Sequence, residues 1–237
     1  MLFRSGYDGK GQFVLRSEDQ IDTAWAELGP AKSLIAESFV KFSREVSIIA
    51  VRGQDGDVKT WALAENHHHN GILSHSIVPA PNSTDLQPVA QDYITRLLNH
   101  LNYVGVLTLE LFVTEQGLYA NEMACRVHNS GHWSIEGAIC SQFENHIRAV
   151  AGLPLGATDV VRPAVMVNII GQHPKSEDVL ALKGAHLHLY NKSERAGRKL
   201  GHITLMPNNS DELTDLCRQL AQILPVPLAL KIGRAHV

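Results

Sequence analysis

The chain is short of cysteine, of sustained positive charge and of long apolar runs, and each shortage removes a class of function. Cys125, Cys140 and Cys217 are odd in number and scattered without CxxC spacing, which excludes a disulfide framework and a thiolate zinc site. No run of Lys or Arg occurs and the formal net charge is -3, so no nucleic-acid partner and no acidic membrane surface is expected. No apolar stretch approaches the length of a membrane span, and the charged-then-apolar pattern of a secretory leader is missing, leaving the cytoplasm as the expected location. HExxH spacing, the Walker GK[ST] ending, internal repeats and low-complexity tracts are also lacking. What is there is ordinary globular composition: 44% hydrophobic and 19% charged over 237 residues, enough for one large domain or two modest ones.

Two acids stand out. Glu110 and Glu122 flank Thr114-Glu115-Gln116-Gly117, a polar, glycine-ended segment between β-favouring residues, which predicts a hairpin over 105–123. With Gln116 at the centre of the reversal, Glu110 falls opposite Glu122 on one face, Cβ atoms about 5 Å apart. Leu107, Leu109, Leu111 and Val113 fall on the other face, so core burial holds the register against carboxylate repulsion. A hard divalent cation that bridges carboxylates to a nucleotide's phosphates relieves that repulsion. The alternative is a surface hairpin whose acids splay into water, the commoner state of a Glu pair.

Ser17 with Gln20 forms a capping-box pattern that predicts a helix over 17–28, with Ile21, Ala24, Trp25 and Leu28 on one face. Strands are predicted over 34–37, 45–51, 61–64, 164–170, 186–190 and 201–205. Helices are predicted over 87–102, 135–150 and 210–223, the second stopped by Gly152 and Pro154. Residues 156–163 read as a linker. Strands and helices mix without βαβ alternation, so the fold class is α+β. The tail Ile232-Gly233-Arg234-Ala235-His236-Val237 can be encoded by ATCGGAAGAGCACACGTC. The reverse complement of its start, CTCTTCCGAT, translates as Leu-Phe-Arg, which stands at Leu2, Phe3 and Arg4. Residues 1–5 and 232–237 are therefore expected to be translated sequencing adapter, and the protein between them a piece of a longer one.

Three polar patches carry further chemistry. Gly6-Tyr7-Asp8-Gly9-Lys10-Gly11-Gln12 has the glycines that let backbone N–H groups approach a phosphate, though such a loop is often only a turn. The run 121–133, NEMACRVHNSGHW, gathers Asn121, Arg126, His128, Asn129, Ser130 and His132 beside the second acid, a density of donors that suits an anion. The run 190–202 places Lys192, Arg195, Arg198 and Lys199 in one loop, able to meet a phosphate monoester or simply to be solvated. Adjacent His67, His68 and His69 on extended backbone point alternately and cannot all reach one ion.

In this order, GYDGKGQ, the Glu37 and Glu45 spacing in ESFVKFSREVS, NHHHNGIL, GVLTLELF, NEMACRVHNSGHW, SQFENHIRAV and GRKLGHI resemble the 5-(carboxyamino)imidazole ribonucleotide synthase family of ATP-grasp ligases, over essentially all of 6–230. The resemblance implies a partial ATP-grasp fold over 6–155 and a small β-rich C-terminal domain over 160–231. It implies ATP held with magnesium, or manganese in its place, at Glu110 and Glu122. Gly6, Tyr7, Asp8, Gly9, Lys10, Gly11 and Gln12 would close over the phosphates, and Glu37, Ser38, Phe39 and Val40 would line the adenine and ribose. Glu45, His68 and Asn121 would also contact the nucleotide. Tyr7, Asp8, Arg126, His128, Asn129, Ser130, Lys192, Arg198 and Lys199 would face aminoimidazole ribonucleotide, with Asp8, Lys10 and Arg126 catalytic. The implied reaction uses bicarbonate and passes through carboxyphosphate, in a full-length protein implied to be a homodimer. Two departures are Cys125, where relatives often carry Pro, and Ala196, where Pro is common. The N-terminal domain of the family has no counterpart here, so the chain as written is expected to be inactive. Another ATP-grasp ligase joining a carboxylate to an amine, and a non-catalytic nucleotide- or metal-binding module, are the competing readings.

Overall fold

The computed structural model of the chain describes residues 2–3, 12–28 and 34–226. Contacts divide it into two compact units, Met1–Lys41 with Asn70–Ile72, and Phe42–His69 with Leu73–Val237.

In the first unit, β1 (Leu2–Phe3) lies between β2 (Gln12–Phe13) and β3 (Ile35–Ala36), antiparallel to both. A 3-10 turn at Glu18–Gln20 leads into α1 (Ile21–Leu28). The capping box expected at Ser17 does not form: the Ser17 side chain makes no cap bond, and Gln20 Oε1 accepts from the Arg16 N–H at 2.8 Å. Nor do the four apolar residues share one buried face. Ala24 and Leu28 are buried, whereas Ile21 is 52% and Trp25 62% exposed.

The second unit is built on a nine-stranded sheet. Its strands are β4 (Arg44–Arg52), β5 (Val58–Thr60), β6 (Ala64–His69), β7 (Ile72–Val78), β8 (Gly105–Thr114), β9 (Gly117–Ala124), β10 (Ala164–Ile170), β11 (Ala185–Leu189) and β12 (Lys199–Leu205). The order is β11-β12-β10-β7-β6-β4-β8-β9, with β5 beside β4. Helix α2 (Leu86–His100) covers one face near β4 and β8, where Ala90, Ile94 and Leu98 bury against Val46, Ile48, Leu107, Leu109 and Leu111. Farther along, α5 (Ser176–Leu180) and α6 (Ser210–Ile223) cover Val165, Val167, Ile169, Ile203 and Leu205 through Val179, Leu216 and Leu220. The opposite core joins Ile49, Val51, Val106 and Met166 to Trp133 and Ala149, contributed by α3 (Ser134–Gly137), α4 (Gln142–Val150) and the segment before them.

Three predicted elements are corrected. The strand expected at 61–64 is a step between β5 and β6, in which the Gln87 side chain takes over hydrogen bonds that a ladder would make. Gln87 Oε1 accepts from the Leu63 N–H at 2.8 Å, and Gln87 Nε2 donates to the Trp61 carbonyl at 3.2 Å. The helix expected at 135–150 is two helices, parted at Ala138, whose backbone is extended. Ser141 caps the second through Glu144 N at 3.1 Å, an S-x-x-E signal that apolar periodicity alone had hidden. The segment read as a linker is tied down: Ala157 O, Asp159 O and the Val161 N–H bond to Cys140 N, Ile139 N and Gly137 O.

Candidate functional site

Cross-strand partners in an antiparallel sheet project to the same face. Ser47 pairs with Glu110, Glu45 with Asn66, and Glu110 with Glu122. Alternation then places Glu45, Ser47, Asn66, His68, Glu110 and Glu122 together on the face away from α2. The hairpin reaches this register indirectly. Thr114 pairs with Gly117, so Glu115 and Gln116 form the reversal and pairing is offset by one from the centring assumed above. A bulge at Asn121, between the Glu110 and Leu111 pairs, absorbs the offset and restores Glu110 opposite Glu122.

The segment 125–133 is laid over the same face and anchored along its length. Buried Gln142 brackets His128, accepting from its N–H at 2.9 Å and donating to its carbonyl at 2.7 Å. Asn129 and Asn168 exchange paired amide bonds of 2.9 and 2.7 Å, and Asn168 also donates to the Leu73 carbonyl at 2.9 Å. His128 Nδ1 accepts from the Ser130 N–H at the start of a 3-10 turn, Asn129–Gly131. Its Nε2 stands 3.6 Å from Glu110 Oε1. His68 Nδ1 approaches Glu45 Oε2 at 3.2 Å. Its neighbour His67 turns instead to Glu65, at 3.0 Å, the alternation expected of extended backbone.

Electrostatics separate these groups. Burial raises the Glu110 carboxyl above its ordinary value, helped by the negative charges of Glu122 and Glu45 and opposed by His68 and Lys199. Burial also lowers His128 to about 3, with Arg126, Lys199, His132 and His68 adding repulsion. His128 is therefore a neutral imidazole at neutral pH. His132 is lowered to about 4 and His202 to about 3, again chiefly by burial. These two rings, 5.1 Å apart, belong to a cluster in which His188 stacks on His202 at 4.4 Å and donates from Nε2 to Glu136 Oε1, 2.6 Å away. The Tyr190 hydroxyl meets His202 Nδ1 at 2.7 Å.

The residues fit a hard cation. Two opposed carboxylates, Glu110 half-buried and repelled by its neighbours and Glu122 exposed, offer oxygen donors whose charge a divalent ion would neutralise. No cluster of three His, Cys, Asp or Glu among the described residues could hold a metal, so such an ion would complete its shell with phosphate oxygens and water, as magnesium does.

The site residues named from the sequence distribute unevenly. Glu45, His68, Glu110, Glu122, His128, Asn129 and Ser130 share one face or lie over it, and Lys199 acts on Glu110 and His128 through its charge. Ser130 is wholly buried, whereas Asn121 and Arg126 are exposed. The Lys192 ammonium sits over the Tyr190 ring at 5.3 Å, and Arg198 donates to Ser193 within its own loop. Glu37, Ser38 and Phe39 are exposed in the first unit, with Val40 half-buried. Gly6, Tyr7, Asp8, Gly9, Lys10 and Gly11 lie outside the described residues. Gln12 is described only as part of β2. Sequence reasoning missed Ser47, Asn66, Asn168, Gln142 and His202. For all but Gln142, which opens α4, the signal is a polar residue at an inward strand position, as in Val46-Ser47-Ile48 and Val167-Asn168-Ile169.

Comparison with known proteins agrees with this arrangement. A family model for the ATP-grasp domain matches residues 2–143, and one for the phosphoribosylaminoimidazole carboxylase C-terminal domain matches 164–215. The chain is 48% identical over 225 residues to an N5-carboxyaminoimidazole ribonucleotide synthase of Vibrio parahaemolyticus, covering 92% of this chain and 59% of the relative. The same-named protein of Pseudomonas aeruginosa is 52% identical over 200 residues, covering 84% and 55%. Among solved structures, N5-carboxyaminoimidazole ribonucleotide synthetase from Thermus thermophilus superimposes with a TM-score of 0.86 at 49% identity, covering 90% of this chain and 59% of that one. The Aspergillus clavatus N5-carboxyaminoimidazole synthase, in complex with ADP and 5-aminoimidazole ribonucleotide, gives 0.82 at 31% identity, covering 90% and 59%. The chain thus spans 55–59% of the length of these relatives.

Proposed function

We propose, from the premise that this chain belongs to the ATP-grasp family, that it is the larger part of an enzyme that carboxylates 5-aminoimidazole ribonucleotide with ATP and bicarbonate in purine biosynthesis. The observation that carries the reading is the opposition of Glu110 and Glu122 beneath a segment rich in imidazole, amide and guanidinium groups. The relatives' names, and the ADP and ribonucleotide in the Aspergillus complex, support it.

Glu110 and Glu122 would hold magnesium, or manganese, through carboxylate oxygens, with Asn121 beside them, and the ion would supply charge neutralisation at the phosphates. A bicarbonate oxygen attacks the γ-phosphorus of ATP while its bond to ADP breaks, giving carboxyphosphate. The exocyclic amine of the ribonucleotide then attacks the carboxyl carbon, phosphate leaves, and the nitrogen loses a proton. Phosphoryl transfer needs positioning and charge stabilisation more than covalent help. Arg126 and Lys199 supply positive charge near that face, and His128 and Asn129 line the ribonucleotide side, joined by Lys192 and Arg198. By motif, Gly6 to Gln12 serve the phosphates, with Asp8 and Lys10 catalytic, and Glu37 to Val40, Glu45 and His68 serve the nucleoside. The full-length protein acts as a cytoplasmic homodimer.

The test is ADP release by a full-length version supplied with bicarbonate and aminoimidazole ribonucleotide. Turnover is expected with this pair, none with an amino acid and a ribosyl amine, and none in Glu110→Ala. Undiminished turnover in Glu110→Ala, or preference for the other substrates, rejects the assignment.

A further inference from the structure

We infer that a buried hydrogen-bond relay, Ser76 to Asn66 to Ser47 to Ser130, fixes His128 as the tautomer carrying its hydrogen on Nε2 and so positions Glu110 for its cation. This rests on the reading of Glu110 as a cation ligand. The relay crosses three strands. The Ser76 hydroxyl donates to Asn66 Oδ1 at 2.8 Å, Asn66 Nδ2 to Ser47 Oγ at 2.9 Å, and the Ser47 hydroxyl to Ser130 Oγ at 2.8 Å. Ser130 Oγ then lies 2.8 Å from His128 Nδ1.

Direction follows from counting hydrogens. Ser130 Oγ already accepts from Ser47, and its own hydrogen is left for Nδ1. The Ser130 backbone N–H, which can only donate, also addresses Nδ1, at 3.4 Å. Nδ1 is thus an acceptor, and in the neutral ring the hydrogen sits on Nε2, which faces Glu110 Oε1 at 3.6 Å. That separation is longer than a hydrogen bond, and catalytic contacts are commonly looser before ligands bind. One carboxylate oxygen held by an imidazole leaves the other for metal, the usual way an outer group orients a ligating carboxylate.

Burial argues that the relay has a purpose. Ser47, Ser76 and Ser130 are fully buried and Asn66 nearly so, and Ser47, Asn66 and Ser76 take strand positions that Val or Ile would fill without the cost of burying polar groups. Ser130, named from the sequence as touching substrate, becomes a positioning residue acting through His128. The sheet supplies rigidity that a loop could not.

The test uses the 237-residue chain as it stands. Long-range proton–nitrogen spectra of 15N-labelled protein should show His128 with Nε2 protonated and Nδ1 bare. Ser130→Ala and Asn66→Asp should weaken Mn2+ binding, measured by calorimetry, about tenfold or more, and Ser130→Thr should recover it. A His128 protonated on Nδ1 overturns the relay, and that measurement needs no variant to fold. So does Mn2+ affinity unchanged in folded Ser130→Ala. A wild-type chain with the expected tautomer but no Mn2+ binding instead overturns the cation assignment, a distinct result.

Discussion

Glu110 is asked to be two things at once. Its carboxyl is half-buried, faces two other acids and is pushed toward protonation, yet the proposed cation needs it charged. A group whose folded pKa lies above its unfolded value costs stability once pH exceeds that ordinary value, because the folded state must then hold an unwelcome charge. Glu110→Gln is therefore expected to stabilise the metal-free chain at pH 7 while removing Mn2+ binding. Thermal melts with and without metal measure both; a destabilised, metal-binding variant would contradict the argument. The histidines run the other way. His202 is lowered from 6.5 to about 3, so between those values the unfolded chain binds a proton that the folded chain refuses. Its stabilisation is fully present above about pH 6.5 and is lost as pH falls toward 3. His202→Gln should flatten the loss of melting temperature between pH 6.5 and 4, and an unaltered slope would contradict that reading. Both acids of the hairpin were legible from turn chemistry and apolar alternation. His202 was not, because its role depends on His188 and Tyr190, which only strand pairing brings to it.

Elements carry these residues with different degrees of tolerance. Strands β11 and β12 approach so closely at Gly201 that an added Cβ would run into the His188 carbonyl. Gly201→Ala should cost about 1–3 kcal/mol through overpacking and disturb the stack of His188 on His202. Melting temperature and the His188 and His202 ring resonances check this, and an undisturbed stack with native stability would refute it. The hairpin shows how an element can be read correctly for an incomplete reason. Centring the reversal on Gln116 gave the Glu110 and Glu122 pair, but the chain achieves it with a reversal at Glu115 and Gln116 and a compensating bulge at Asn121. Bulges leave little trace in composition, because they answer to both strands at once. Helix periodicity failed at 135–150 for a related reason. The apolar spacing continues through Ala138, while the backbone there turns away to bridge Val160, a tertiary bond that overrides local pattern.

At the scale of the molecule, the two matched family models meet inside one sheet. Strand β7 lies within the stretch matched as ATP-grasp domain and β10 within the stretch matched as C-terminal domain. Yet Ala164 to Val167 pair with Val78 to His75 in unbroken antiparallel register. The Asn129 and Asn168 amide pair ties the same two stretches again, through the site itself. A change in sequence pattern near 156–163 marks a boundary of composition, but the hydrogen bonds of 157–161 to 137–140 leave no slack there. A sheet that shares its ladder and its core across such a boundary should open as one cooperative unit. Native-state hydrogen exchange is expected to give the amides of β7, β10 and β12 a common opening free energy, and calorimetry a single transition for residues 42–226. Earlier release of β10 to β12 than of β4 and β8 would show the C-terminal strands to be an independent domain. The cooperative outcome has a functional consequence. Lys199 on β12 and Glu110 on β8 act on each other electrostatically, and a sheet that cannot open between them keeps that pairing of charges fixed while substrates come and go.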